Sequence, residues 1–280
     1  MVTANRTRIF YRLEVAEALR SKWLWFTGVT YAFVFGFFVW LGLRESTVLG
    51  FTGMSRVVLH VANAMVLAVP LVALVATHQC IVRARSSGHL ELFLSQPCAR
   101  TDWLRAAGLA RLTVLVGPLV VLFGLALAYS AGEGEVGTLG PMVARAVAVV
   151  GSLAWAFVGL GMLVSSLSKS GERATVLALL AWLASALLQD FALIGVLLRW
   201  KLPPETVFGL AAVNPTEAAR IAILGAVDPE LSVLGPVGFW IANQLGTGRT
   251  LAFGVAWPLA FGTLAYMLAE RRMSHADVIG

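Results

Sequence analysis

The residues that could do chemistry are few and scattered. Histidine stands at 60, 78, 89 and 275, lysine at 22, 169 and 201, and cysteine at 80 and 98. None of the lysines follows a glycine, so a phosphate-cradling GxxxxGK[ST] loop is excluded. No GxSxG elbow and no HExxH helix occurs, and no catalytic constellation is expected in this chain. Two sets of soft or borderline metal ligands remain. His60 with Met54 and Met65 could offer nitrogen and thioether donors to copper, and His78 with Cys80 is a similar pair. Neither spacing is a recognised motif, and methionine in an apolar helix ordinarily fills space. Cys80 and Cys98 form no CxxC pair and fall on the side where thiols stay reduced, so no disulfide is expected. Within the apolar runs the notable ionisable residue is Asp190, about nine residues or about 13 Å from the end of its run at 1.5 Å per residue. Arg145, near the corresponding end of another run, could neutralise it as a structural ion pair, or the two could line a hydrated path.

One polar stretch interrupts the greasy sequence. Residues 86–103 read SSGHLELFLSQPCARTDW, preceded by Arg83 and Arg85 and followed by Arg105. Leu90, Phe93 and Leu94 share one helical face by their i, i+3, i+4 spacing, and Glu91 points elsewhere. Pro97 stops that helix, and Thr101 or Asp102 is placed to cap the next. A plain connection needs only a few residues. This one is about twenty long and carries an apolar patch beside a carboxylate, the features of a docking surface. A second polar tip, SSLSKSGERA over 165–174, presents Lys169, Glu172 and Arg173, and reads either as a tight turn or as a smaller docking point.

These features must be positioned by helices in a membrane. Hydrophobic residues make up 59% of the chain and charged residues 13%, against about 25% charged in soluble domains. Six continuous apolar runs, at 23–43, 57–82, 109–130, 141–167, 174–198 and 251–268, approach or exceed the roughly 20 residues that cross a bilayer. Their continuity excludes a β-barrel, whose strands alternate. With the N-terminus in the cytoplasm, the inward segments hold 14 of the 21 basic residues. Both termini are therefore expected inside. The same rule accounts for the net charge of +6 without a nucleic-acid partner. No internal repeat or linker divides the chain, which reads as one transmembrane domain over 1–280.

Two segments flank the spans. Over 5–22, Ile9, Phe10, Leu13 and Ala16 make a moderate apolar stripe for an interfacial helix, with basic residues near anionic headgroups. The longest outward segment runs over 199–249. In NPTEAARIAIL, Asn214 is set to cap, Pro215 to open and Glu217 to complete a capping box, with Arg220 one turn on. LGPVGFWIANQLG, over 234–246, carries Gly235, Pro236 and the interface-suited Trp240. Both pieces are too short to span. They are expected to dip into the outer leaflet or to cap the outer mouth.

The stretch SGHLELFLSQPCARTDWLRA resembles the segment between the second and third spans of type-two ABC exporter permeases, and the order of elements is similar along nearly the whole chain. The 214–246 segment resembles the nitrous-oxide-reductase maturation permeases (NosY-type). The resemblance implies an all-α integral membrane protein. It would have six transmembrane helices, an N-terminal interfacial helix, a cytoplasmic coupling helix within 83–106 and short outer helices before the last span. It implies that Gly88, Leu90, Glu91, Leu92, Phe93, Leu94, Gln96, Pro97 and Arg100 contact a cytoplasmic ATPase, with Lys169, Glu172 and Arg173 as a second contact. It implies that Asn214, Pro215, Glu217, Arg220, Gly235, Pro236 and Trp240 face a periplasmic β-helical protein. Two ABC ATPase subunits carrying ATP and Mg, and a second copy of this chain, would complete an assembly in a bacterial inner membrane, serving copper–sulfur cluster maturation of nitrous oxide reductase. No cofactor would be bound by this chain itself. An ABC permease exporting a lipid, a drug or another small molecule, and a stand-alone secondary carrier, are the alternatives.

Overall fold

The computed structural model describes residues 2–20, 22–49, 54–88, 99–132, 136–188, 202–228 and 230–275, and among these the only regular structure is helical. In chain order the helices are α1 (Val2–Arg20), α2 (Lys22–Leu49), α3 (Met54–Thr77), α4 (Cys80–Ser86), α5 (Arg100–Gly132), α6 (Val136–Leu167) and α7 (Gly171–Leu183). A π-helical turn, Ala184–Leu188, extends α7. Then follow α8 (Pro204–Ala212), α9 (Pro215–Val227), a 3₁₀ turn at Ser232–Leu234, α10 (Gly235–Gln244) and α11 (Gly246–His275).

Four segments, Val57–Ser86, Arg100–Gly132, Leu139–Leu167 and Gly246–Ser274, are each long and apolar enough to cross a bilayer. They carry the second, third, fourth and sixth apolar runs. The first run lies on α2, which meets α1 at a 65° bend. The fifth begins on α7. Its remainder from 189 onward, with Asp190, lies outside the described residues. A second bent pair, Pro204–Ala212 with Pro215–Ala226, turns through 118° and makes a helical hairpin. The turn falls where a residue preceding proline is pushed out of the helical region, and Asn214 has φ −84° and ψ 122°.

α3 and α6 are largely enclosed, whereas α5 and α11 expose most of their apolar surface. α6 is apolar nearly all round, the pattern of a helix with neighbours on every side. Its Val149, Val150, Leu153, Phe157 and Val158 are buried with Val61, Met65, Val66 and Leu74 of α3. Small residues bring α6 and α11 to near contact. A Cβ on Gly159 would overlap the Gly262 carbonyl oxygen, and one on Gly262 would stand 2.6 Å from the Trp155 carbonyl oxygen and 2.7 Å from the Ala156 Cα. Close backbone approach through small residues is how helices associate where lipid supplies no hydrophobic drive. Beside this crossing Trp155 Nε1 donates to Thr263 Oγ1 at 3.0 Å, and the Trp155 and Tyr266 rings stack at 5.5 Å.

α1 does not dock through its apolar stripe. Of the four stripe residues only Phe10 is buried. Ala16 is exposed, as are Ile9 and Leu13, at 54% and 57%. The polar side turns inward because it has partners there. Glu14 accepts from Trp103 Nε1 at 2.9 Å through one carboxylate oxygen and from Arg111 Nη1 at 3.2 Å through the other. Thr113 commits its hydroxyl proton to the Leu109 carbonyl, so the Tyr11 hydroxyl donates to Thr113 Oγ1 at 2.9 Å. Ile9, Leu13 and Ala16 are thereby left to face the surroundings, as an interfacial helix requires.

Two outcomes follow. Gly262→Leu is expected to lower stability by about 1–3 kcal/mol through overpacking, read as a fall in the thermal unfolding midpoint of the purified protein, with Gly262→Ala milder. Arg111→Met strands the half-buried Glu14 carboxylate and is expected to cost about 3 kcal/mol, whereas adding Glu14→Gln restores most of that loss in the same measurement. Strictly additive losses in this cycle would contradict a coupled pair.

Candidate functional site

The apolar run of the second span does not pass unbroken to its end. It stops at Thr77, turns over His78 and Gln79, and resumes as the short α4. A helix break leaves carbonyls without partners on one side and amides on the other. Buried among other helices, these groups must be satisfied by the protein. Thr77 Oγ1 donates to the Ala73 carbonyl at 2.6 Å. The His78 amide and its Nδ1 both donate to the Leu74 carbonyl, at 2.8 and 2.9 Å, and Nδ1 also reaches the Val75 carbonyl at 3.0 Å. Arg111 Nε donates to the Ala76 carbonyl at 3.3 Å. On the far side Ser165 Oγ of α6 accepts from the Ile81 and Val82 amides at 2.9 and 3.3 Å.

The break is also tied to the start of α7. Thr175 Oγ1 donates to the Gly171 carbonyl and stands 3.0 Å from both His78 Nε2 and Gln79 Nε2. Gln79 Nε2 reaches the Gly171 carbonyl as well, at 3.4 Å. Only glycine fits at 161, because a Cβ there would overlap Thr77 Oγ1. The turn at 168–170 thus emerges beside the break. Ser170 caps α7 by accepting from the Arg173 amide at 3.3 Å, and Lys169, Glu172 and Arg173 project into the open. This junction ties α3, α4, α6 and α7 together through side-chain hydrogen bonds.

The same end gathers the exposed cations Arg83, Arg105, Lys169, Arg173, Arg271 and Arg272. Two contacts close it from the α5–α11 side. Arg100 Nη1 donates to the Met273 carbonyl at 3.1 Å, and Arg105 pairs with Glu270 at 2.8 Å. The second pair is solvent-facing and adds little stability. Arg100 is therefore an internal tie at the start of α5. Thr101 and Asp102 lie inside the first turn of α5, where the Asp102 amide donates to the Ala99 carbonyl at 3.0 Å, and neither caps the helix. Gly88 ends α4 with φ +71°, a conformation that glycine takes without strain. Leu90, Glu91, Leu92, Phe93, Leu94, Gln96, Pro97 and Cys98 lie outside the described residues.

At the opposite end the hairpin residues serve the fold. Asn214, Pro215 and Glu217 are buried within the chain and offer no face to a partner. Asn214 Oδ1 accepts from the Thr216 amide at 2.9 Å, and its Nδ2 donates to the Ser185 carbonyl in the π-helical turn at 2.6 Å. The Asn214 amide, which a capping box would hand to Glu217, donates to the Ala211 carbonyl, and Glu217 stands 3.0 Å from Arg220 Nη1. Trp240 is half-buried, with its ring 5.7 Å from that of Phe208. Gly235 turns the chain at φ +58°, leaving Pro236 exposed with Val233 and Phe239. α9 is wedged against α3, α6 and α11, so the piece dips into the bundle rather than capping it.

The suspected metal ligands do not converge. Met65 is buried in the core, while His60 lies exposed and stacks on Phe38 at 5.9 Å, and the Met54 side chain is outside the described set. Both nitrogens of His78 are occupied by hydrogen bonds. Cys80 is a buried free thiol. Among the described residues no three His, Cys, Asp or Glu side chains stand together as a metal site. Arg145 is exposed on α6. The junction at 77–79 escaped the sequence reading, which weighed His78 only as a metal ligand. The available signal was a coincidence of polar residues, Thr77, His78, Gln79, Ser165 and Thr175, near the ends of three separate apolar runs.

Two curated proteins are similar along almost their whole length. The "Probable ABC transporter permease protein NosY" of Stutzerimonas stutzeri is 26% identical over 268 residues, covering 94% of this chain and 97% of that protein. The protein of the same name from Pseudomonas aeruginosa is 28% identical over 257 residues, covering 86% of this chain and 93% of its own. Residues 9–273 match the family described as ABC-2 family transporter protein, and with its apolar spanning helices the chain is a multi-pass membrane permease that belongs to that family.

Proposed function

We propose that this chain is the passive membrane half of an ATP-driven assembly, with the basic end in the cytoplasm and the α8–α9 hairpin on the periplasmic side of a bacterial inner membrane. Two ATPase subunits hold ATP and Mg and grip the 89–98 segment and the 168–170 turn. A second copy of this chain completes the membrane unit. The observation that carries this reading is the junction around His78. Spans two, four and five are locked together beside the polar turn, and residues 89–98 join helices ending and starting at that same end. A part built for being pushed needs a stiff connection between the push point and the spans. The excess of cations at that end agrees with a cytoplasmic placement.

The names of the two relatives and the likeness at 214–246 support a place in copper–sulfur cluster maturation of nitrous oxide reductase, with a periplasmic β-helical partner. Because Asn214, Pro215 and Glu217 are buried, such a partner would touch Pro236 and its exposed neighbours. Within this proposal copper is cargo of the wider system, and this chain holds none as a resident cofactor.

Glu91→Lys, and separately Leu90→Asp with Phe93→Asp, are expected to reduce co-purification of the ATPase at least about tenfold, since a buried reversed charge costs more than about 1.4 kcal/mol. The thermal transition of the membrane chain itself should stay in place. Recovery of the ATPase at the unsubstituted level in both variants contradicts the coupling role. Removing the chain from its host should leave nitrous oxide reductase without its cluster absorption, and a normal cluster would overturn the cargo while leaving the ATPase reading intact.

A further inference from the structure

A cavity of about 380 Å³ opens between α3 and the α9–3₁₀ corner at the hairpin end. Its size falls in the range of about 300–1,000 Å³ typical of small-molecule sites. The wall is mostly hydrocarbon, from Leu59, Ile223, Leu224, Leu231 and Leu234. Three polar side chains, His60, Asn63 and Asp228, break that wall. An apolar body with a few fixed polar groups is the usual anatomy of a ligand pocket.

Two of the polar groups have partners before any ligand arrives. The His60 ring lies nearly parallel to Phe38, at an interplanar angle of 8°. Asp228 Oδ2 accepts from the Ser232 amide and hydroxyl at 2.6 and 2.5 Å, and Oδ1 accepts from the Glu230 amide at 3.1 Å. This loop bends through Leu231, a buried residue with φ +51°, a strained conformation for a bulky side chain. The donors around Asp228, the Ser232 hydroxyl first among them, hold its carboxyl below the ordinary carboxylate range. No arginine or lysine among the described residues pairs with it. The Leu231 amide adds to the donors of the loop, so the carboxylate is oriented by four of them. A negative charge without a cationic partner thus stands at the edge of an apolar chamber. A bare hydrated metal ion would gain nothing from the hydrocarbon wall, whereas an amphiphile with a cationic nitrogen uses both features.

We propose that this cavity binds an amphipathic amine, its apolar body against Leu59, Ile223 and Leu231 and its ammonium on Asp228, with His60 and Asn63 completing the polar side. Such an amine comes either from an aminophospholipid of the surrounding bilayer or from a free hydrophobic amine. The site is independent of the ATPase reading, since it lies at the other end of the bundle.

The test uses the full-length chain, with the subunits that accompany it, in mild detergent and native mass spectrometry. Dodecylamine, dodecanol and dodecyl sulfate are compared as ligands. Dodecylamine is expected to be retained about tenfold better than dodecanol, the scale of one charge-assisted hydrogen bond, and dodecyl sulfate not at all. Asp228→Asn removes the charge and exchanges one of the two acceptor oxygens of the loop for a donor amide, and should abolish the preference. Asn63→Phe fills the cavity from the exposed side of α3 without touching the loop, and should abolish retention even if Asp228→Asn misfolds. Extraction from nanodiscs of mixed phosphatidylethanolamine and phosphatidylglycerol separates the sources. Selective carry-over of phosphatidylethanolamine, lost in Asn63→Phe, identifies the lipid, and its absence alongside dodecylamine retention identifies a free amine. Equal retention of the three amphiphiles, retention unchanged in Asn63→Phe, or binding of Zn²⁺ with no amine retained overturns the proposal.

Discussion

A backbone polar group surrounded by apolar helices has no water to turn to, and that constraint shapes this molecule. Where the chain stays helical the ladder meets the requirement automatically. Where it breaks, at 78–79, side chains bond the backbone groups on both sides of the break. Thr77, His78 and Arg111 serve the carbonyls of residues 73–76, and Ser165 serves two amides of α4. Each of these side chains except Thr77 and His78 comes from a different helix than the one it serves. Satisfying the break therefore fixes α5 and α6 to α3, and Thr175 adds α7. The break is held by the same bonds that hold the bundle at that end.

The rest of the packing follows from the absence of a hydrophobic drive between helices in lipid. α6 meets α11 through glycines rather than large apolar side chains, and α11 in turn meets α9 where a Cβ on Gly254 would overlap that of Ala222. The α8–α9 hairpin is pinned by single polar bonds at its bend. Asn214 reaches Ser185, and Trp257 Nε1 donates to the Val213 carbonyl at 3.1 Å. Large apolar side chains such as Trp25, Phe33 and Val121 are left on the outside, which in a soluble protein would be a liability and here is the lipid-facing surface.

The spans were legible because a bilayer imposes one length scale on all of them. The described parts of all six runs are helical, and the family likeness read from residues 87–106 is matched by the comparison over 9–273. What was not legible depended on which partner a side chain meets. Ile9, Leu13 and Ala16 stand on the exposed face of α1, as an interfacial stripe does, but a sequence does not say that Arg111, nearly a hundred residues on, waits for Glu14 on the other face. Asn214, Pro215 and Glu217 carried a helix-start signal, and the start is real. Their burial, which removes them from any outer surface, depends on a 118° turn that folds α9 back among α3, α6 and α11. Local signals located the elements, and long-range polar bonds decided their roles.

Arg111 shows why those long-range bonds bear on function. Its guanidinium spans three helices, donating to Glu14 on α1, to the Ala76 carbonyl at the break of α3, and to the Ala107 carbonyl one turn back on its own helix. α1 lies at the surface with its apolar stripe outward, so it responds to whatever moves along that surface. The break lies deep and carries the exposed turn at 168–170 through Thr175. A planar, five-donor side chain is the one group able to join both without a second residue. Displacement of α1 therefore cannot proceed without pulling on the Ala76 carbonyl or breaking the Glu14 pair. The Arg111 guanidinium is thus the shared partner of the surface helix and the broken span.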